Sequence, residues 1–433
     1  MNTPHPSAST TGTAAAGPAP SPLFEPARLG PLTLRNRVIK AATFEGMSPE
    51  GVVTEDLIRF HSRVAQGGAA MSTVAYLSVA PEGRTDAGCI LVLPSAVDGL
   101  RRLTDAIHAG GALAQAQVGH AGPVANASSN NATSLAPGRF FNPLGLRFAK
   151  AADEYDIARV TSDYERASKL LVDAGFDSLE IHLGHNYLLS SFLSPKLNRR
   201  TDRWGGSIEN RARFARQVVT AVRAAVGSDV AVTAKLNMVD GYKGGLTIED
   251  SLQVARMLQD DGALDALELT GGSSLVNPMY LFKGAAPTRE FGATLPWFLR
   301  SGFRLVGDRF LHTYPYEEAY FLEQAMRFRD ELDLPLVLLG GISELATAER
   351  GLAAGFDFVG MARAILHDPN IVDEWSRGAG TVSGCLHCNR CMPTIYSGTR
   401  CPLVDPRPGD RPVEIPAWAK DRPGVAPSAL VDS

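Results

Sequence analysis

The stretch AGFDSLEIHLGHNYLLSSFLSP (174–195) decides how the rest of the chain is read. Gly175 supplies the left-handed end of a preceding helix. An apolar run of strand length, FDSLEIH (176–182), follows at once. It leads into His182, His185 and Tyr187. Helix, glycine cap and apolar strand make one βα step of a parallel sheet covered on both faces. Two imidazoles three residues apart can bind zinc, satisfy one another in a core, or clamp an anionic oxygen beside a phenolic proton source.

The step recurs on both sides. Gly262 precedes ALDALEL and Gly355 precedes FDFVGMA. Eight apolar runs read as strands: 37–44, 69–80, 112–119, 176–182, 230–237, 264–270, 335–341 and 356–362. Amphipathic patterns such as TEDLIRFHSRVAQ and RARFARQVVTAVRAAVG lie between them, and Thr247 with Asp250 predicts a capping box. Eight βα units in one run predict a TIM (β/α)8 barrel. A doubly wound sheet would carry an early G-x-G-x-x-G, which this chain lacks.

The predicted organisation is a disordered Ser/Thr/Ala/Pro tail (1–21), a barrel (22–380), a cysteine-bearing extension (381–405) and a second tail (406–433). The barrel carries a long, lid-like, aromatic insertion at 272–315. Its Tyr280, Phe282, Trp297 and Phe298 suggest a bulky apolar ligand, with core packing or a homo-oligomer contact as alternatives. A net charge of −4 gives no reason to expect nucleic acid or an anionic membrane. No apolar run is long enough to span a bilayer, and the first residues lack the pattern of a signal peptide, so the expected location is cytoplasmic.

Active sites of TIM barrels lie at the C-terminal ends of the strands. Those ends carry Gln117 and His120, then His182, His185 and Tyr187, then Lys235. Gly340 and Gly341 follow the seventh strand, and Gly360 and Arg363 the eighth, where this fold holds phosphate. Taken singly, each glycine reads equally as a turn, and a lone histidine reads more often as core. Lys235 in an apolar strand is harder to dismiss, because a buried lysine needs a partner.

LEIHLGHNYLLSSFLSPKLNRRTDRWGGSIENRARF (179–214) closely resembles the old yellow enzyme family of FMN-dependent oxidoreductases. PLTLRNRVIKAA, QVGHAG and FVGMARAIL add matches, and the resemblance spans roughly residues 22–405. It implies an FMN site at Ala42, Gln117, Lys235, Gly341, Gly360, Met361 and Arg363. Gln117 and Lys235 would serve the flavin pyrimidine edge; Gly341, Gly360 and Arg363 would serve the phosphate. It implies that His182 and His185 hold a substrate carbonyl oxygen and that Tyr187 donates the proton. Two donors aimed at a developing oxyanion are each worth about 3 kcal/mol in comparable sites. A zinc reading of the two histidines loses support, since the soft zinc ligands, the cysteines, lie elsewhere in the chain.

The sequence also departs from that pattern. Phe44 stands where relatives often have Thr or Cys, Asn186 replaces a common glycine, and Pro123 a common arginine. Glu45 beside Phe44 reads as a solvated loop charge rather than a pocket group.

Cys385, Cys388, Cys391 and Cys401 are spaced C-x2-C-x2-C-x9-C, the pattern of a metal centre, with 4Fe–4S or zinc as candidates. Similarity to the branch containing 2,4-dienoyl-CoA reductase and trimethylamine dehydrogenase favours 4Fe–4S. The last gap is shorter than theirs, and no nucleotide-binding half follows residue 405. A cluster would then be structural or served by a separate partner.

The expected function is reduction by NAD(P)H of a C=C bond conjugated to a carbonyl, in a small-molecule enone. The alternative is an FMN-dependent dehydrogenase or desaturase exchanging electrons through the cysteine centre.

Overall fold

The computed structural model describes residues 21–142 and 145–412. The expected tails over 1–20 and 413–433 lie outside the described residues. The eight expected strands are the eight staves of one closed barrel. They are β1 (Val38–Lys40), β2 (Met71–Ser78), β3 (Leu113–Gly119), β4 (Ser178–Leu183), β5 (Ala231–Asn237), β6 (Ala266–Thr270), β7 (Leu336–Leu339) and β8 (Phe358–Met361). Every neighbouring pair is parallel, and β8 pairs with β1 to close the ring.

The outer helices follow their capping signals. Helix α1 (Glu55–Gln66) starts on Thr54, whose hydroxyl accepts from Leu57 N, and α2 (Val97–Ala109) follows β2. Asp153 and Asp156 form a reciprocal capping box on α3 (Glu154–Asp173). Ser207 caps α4 (Ile208–Val226) and Thr247 caps α5 (Ile248–Asp260). Only half of the predicted box at α5 forms. Thr247 accepts from Asp250 N, but the Asp250 carboxylate pairs with Arg211 at 2.7 Å. Gly175, Gly262 and Gly355 all take positive φ (92°, 66° and 92°), as their place before a strand predicted.

The runs look apolar because alternate side chains pack apolar against the helices; towards the C-terminal ends of β3, β4 and β5 the inward positions, two apart, are polar. Near the middle of the barrel Gln115 bridges Thr73 (2.7 Å), Ser178 (2.9 Å) and Thr233 (3.1 Å). Below that layer the hairpin Ala27–Leu29/Leu32–Leu34 closes the N-terminal end on Ile39, Met71, Ala231, Ala266 and Phe358. The polar interior therefore opens only at the C-terminal end.

The insertion after β6 is a helical hairpin, Thr288–Thr294 and Trp297–Phe310. Gly284 and Tyr314 exchange backbone hydrogen bonds at its neck. The hairpin packs through Phe291, Phe303 and Phe310 on Met279, Leu311 and Met392. Trp297 is 80% exposed and Leu305 85% exposed, so the apolar-ligand reading does not extend to the outer helix. Among the described residues no helix is long and apolar enough to cross a membrane.

Candidate active site

Strand register assembles the site. Glu180 and His182 sit two apart on the inner face of β4. Register sets His182 beside Lys235, Lys235 beside Glu268, and Gln117 beside Glu180. Lys235 Nζ lies 3.1 Å from Glu180 Oε1 and 3.0 Å from Glu268 Oε1. The second approach is short but not aligned as a hydrogen bond. Gln117 Nε2 donates to Glu180 Oε1 at 2.6 Å. Burial lowers the Lys235 ammonium, but the two carboxylates outweigh it and hold the pKa above its ordinary value. Neither glutamate was singled out from sequence, although Glu180 lies two residues before His182.

Past β4 the chain turns sharply. His185 and Asn186 both take left-handed φ, 62° and 60°. Asparagine tolerates that conformation, which accounts for Asn186 where relatives have glycine. Its side chain is also tied down: Nδ2 donates to Asp240 Oδ1 (3.2 Å), and Oδ1 accepts from the Tyr242 hydroxyl (3.0 Å). His185 N donates to Asn237 Oδ1 at 3.1 Å, and its Nε2 lies 3.0 Å from Thr270 Oγ1.

The three rings now converge. His182 and His185 centroids are 5.0 Å apart, and Tyr187 stands edge-on to His182 at 4.5 Å. Tyr76, missed from sequence, stands edge-on to Tyr187 at 5.5 Å. Burial, then the neighbouring His185 and Lys235, push His182 well below the usual histidine range. Burial and Lys235 bring His185 to about 3. Both are neutral imidazoles at physiological pH, each with one N–H to donate. Burial raises the Tyr187 phenol, which keeps it protonated. His182 Nδ1 is buried without a partner.

These residues line one cavity of about 270 Å³. Ala42, Gln117, Lys235, Gly341, Gly360, Met361 and Arg363 line it too. A Cβ on Gly341 would come within 2.6 Å of Tyr320 and 2.9 Å of Glu317 O, so only glycine fits there. A larger groove of about 1140 Å³ lies outside Phe44, Ile395 and Thr399, but His182, His185, Tyr187 and Lys235 do not line it. The smaller cavity is therefore the candidate site.

Two sequence readings change. Glu45 is 3% exposed, not a solvated loop charge. It pairs with Lys40 Nζ at 2.8 Å, accepts from Ala75 N at 3.0 Å and lies 3.4 Å from His61 Nε2. The attraction of Lys40 and the chain fold across β2 draw it inward, which sequence distance conceals. His120 stays out of the cavity; its Nδ1 accepts from Gly122 N at 3.0 Å, and its Nε2 lies 3.6 Å from Glu82. Phe44 does line the cavity.

The cysteine extension forms part of the cavity wall. His387, Cys391, Met392, Ile395 and Thr399 all line it. His387 stacks on Tyr316 with centroids 3.4 Å apart. Thr399 donates from Oγ1 to Phe44 O at 2.5 Å and from N to Glu45 O at 2.6 Å. Burial and the neighbouring thiols raise Cys391, and raise Cys401 to about 12. Among the described residues no group of three or more His, Cys, Asp or Glu side chains is placed to hold a metal ion.

Comparison with known proteins names the family. The pattern of the NADH:flavin oxidoreductase / NADH oxidase family matches residues 22–269. The chain belongs to that family. A 4,4'-dithiodibutanoate disulfide reductase of Rhodococcus erythropolis is 54% identical over 388 residues, 89% of this chain and 96% of that protein. A multifunctional alkene reductase/demethylase of Caballeronia cordobensis is 30% identical over 81% of this chain and 48% of its own. The chain thus spans nearly all of the first relative and about half the length of the second. Among solved structures, the old yellow enzyme homologue of Zymomonas mobilis superposes with a TM-score of 0.67. It is 22% identical, covering 88% of this chain and 97% of that one, and bears out the barrel of this oxidoreductase family.

Proposed function

We propose that this family member is an FMN-dependent reductase that uses NAD(P)H to reduce a small electrophilic acceptor held against His182, His185 and Tyr187. The observation that carries it is the convergence of two neutral imidazoles, a protonated phenol and a carboxylate-flanked lysine on one cavity. The residues fit a flavin. Gln117 and Lys235 offer a donor and a cation for its polar edge, and Ala42 and Met361 flank the same wall. Glycine backbone at 341 and 360, with Arg363, suits a phosphate. Bound FMN would supply the hydride chemistry.

The chain's own groups do the rest. When hydride adds to the β-carbon of an enone, negative charge grows on the carbonyl oxygen. An N–H of each of His182 and His185 would stabilise it. Tyr187 would deliver the proton to the α-carbon. A second acceptor class is favoured by the Rhodococcus relative: an organic disulfide, in which hydride plus one proton cleaves S–S to two thiols. The same imidazoles would hold the departing sulfur's charge, and Tyr187 would protonate it.

The C-x2-C-x2-C-x9-C spacing of Cys385, Cys388, Cys391 and Cys401 is what supports a 4Fe–4S cluster, with zinc as the alternative. Reduced thiols of this kind support a cytoplasmic location.

The test is anaerobic mixing of purified protein with NAD(P)H, then with a cyclic enone or a dicarboxylate disulfide. Flavin bands should bleach with NAD(P)H and return with an acceptor. Tyr187→Phe should slow the acceptor step by about 10²–10⁴-fold and leave bleaching unchanged. Absent flavin bands would end this reading. A brown shoulder with bound iron would support the cluster; zinc in its place would refute it.

A further inference from the structure

Asn389 lies between Cys388 and Cys391, is 1% exposed and holds a left-handed φ of 56°. All three polar valences of its side chain that reach across the fold are used. Oδ1 accepts from Arg363 Nη1 at 2.6 Å. Nδ2 donates to Lys283 O at 2.8 Å and to Ala285 O at 3.0 Å. Lys283 O also accepts from Arg363 Nη1, at 3.1 Å, so the guanidinium, the amide and the insertion neck form one closed set. Gly284 belongs to it as well: a Cβ there would stand 2.4 Å from His387 O. Three regions far apart in sequence meet at this amide: the strand-end arginine, the neck of the hairpin and the cysteine segment.

Arg363 lines the cavity. Its guanidinium also lies over the Tyr316 ring, 5.8 Å from the centroid, and 3.5 Å from the Tyr320 hydroxyl, beyond ordinary bonding length, so among the described residues Asn389 Oδ1 makes its shortest side-chain hydrogen bond. A guanidinium grips a phosphate well only when its fork is already aimed. The neutral amide oxygen can aim it without cancelling its charge, as a carboxylate would.

We propose that Asn389 is a positioning residue that orients Arg363 for the flavin phosphate and fastens the hairpin neck, making phosphate grip depend on the folded cysteine segment. This rests on the FMN reading above. A merely structural asparagine would affect every flavin alike. A positioning one affects only the flavin that carries a phosphate.

The experiment compares FMN with riboflavin, which lacks the phosphate, by fluorescence titration of flavin-stripped protein. The proteins are wild type, Asn389→Gly and Asn389→Ala. Glycine accepts the left-handed backbone without strain, whereas alanine adds strain to the loss of the side chain. Asn389→Gly should weaken FMN about tenfold, the scale of one charge-assisted hydrogen bond, and leave riboflavin within twofold, taken as about the error of such ratios. Hydrogen exchange should rise at the 283–286 neck in both variants. An equal loss for FMN and riboflavin, or an effect in Ala but not in Gly, would overturn the proposal. Wild type that binds both flavins alike would instead overturn the phosphate-site reading itself.

Discussion

Two lysines are buried in this barrel to the same extent, 2% exposed each, and they differ in what surrounds them. Lys40 on β1 has one carboxylate, Glu45, and one carbonyl, Thr73 O, both at 2.8 Å. Lys235 on β5 lies between two carboxylates and borders the cavity. Burial lowers both ammonium groups. One carboxylate does not offset that for Lys40, whose pKa stays lowered; two do for Lys235, whose pKa is raised. The difference teaches that a buried charge has a structural or a functional reading according to whether open space adjoins it. Lys40 ties the Phe44–Glu45 loop to β2. Lys235 presents a held charge to whatever enters the cavity.

The sharpest break in that comparison is in flavin binding. Lys235→Met should weaken FMN by about 100-fold, roughly the loss of a desolvated charge pairing. Lys40→Met should leave it nearly unchanged. Equal losses in a flavin titration would erase the distinction. Next is stability. Lys40→Met strands Glu45 in the core and should cost about 3–5 kcal/mol in urea unfolding. Adding Glu45→Leu should recover much of it, since no uncompensated charge remains.

A smaller effect separates the partners by pH. Burial raises the Glu45 carboxyl, but Lys40 and His61 outweigh it and bring it below its ordinary 4.5. Its stabilisation is therefore present above pH 4.5 and is lost as pH falls below. Burial, joined by Glu180 and opposed by Lys235, raises Glu268 to about 8. Its contribution is present below pH 4.5 and is lost as pH rises towards 8. Wild type should thus differ from Glu45→Gln and Glu268→Gln with opposite slopes, each up to about 1.4 kcal/mol per pH unit. Unfolding curves from about pH 3.5 to about pH 9, roughly one unit beyond either limit, would show slopes of one sign if the comparison is wrong.

The smallest effect supplies the control. Lys150 also touches two carboxylates, Asp153 at 3.1 Å and Asp156 at 2.7 Å, but it is 48% exposed. Lys150→Ala should leave the urea unfolding midpoint essentially unchanged, because an exposed pair is screened by solvent. A clear loss would show that the number of carboxylates, and not burial, sets the cost.

Much of this was written in the sequence. The eight staves were legible because parallel strands under helices are continuous apolar runs, and because Gly175, Gly262 and Gly355 punctuate them with a conformation few residues accept. His182, His185 and Tyr187 were legible because they fall in one short segment, where strand geometry alone brings them to one rim. What joins distant segments was not. Glu45 reads as a loop charge until β1 pairs with β2 and places Ala75 N and Lys40 around it. Glu268 reads as one polar residue in an apolar run until register sets it against Lys235. The cysteine segment reads as an appendage until Thr399 reaches Phe44 and Asn389 reaches Arg363. Local pattern is fixed by bonded neighbours and by burial of one face. Charge pairing and cavity walls are fixed by atoms on separate strands and segments, from Lys235 with Glu268 on neighbouring staves to Thr399 with Phe44, which only the closed barrel brings together.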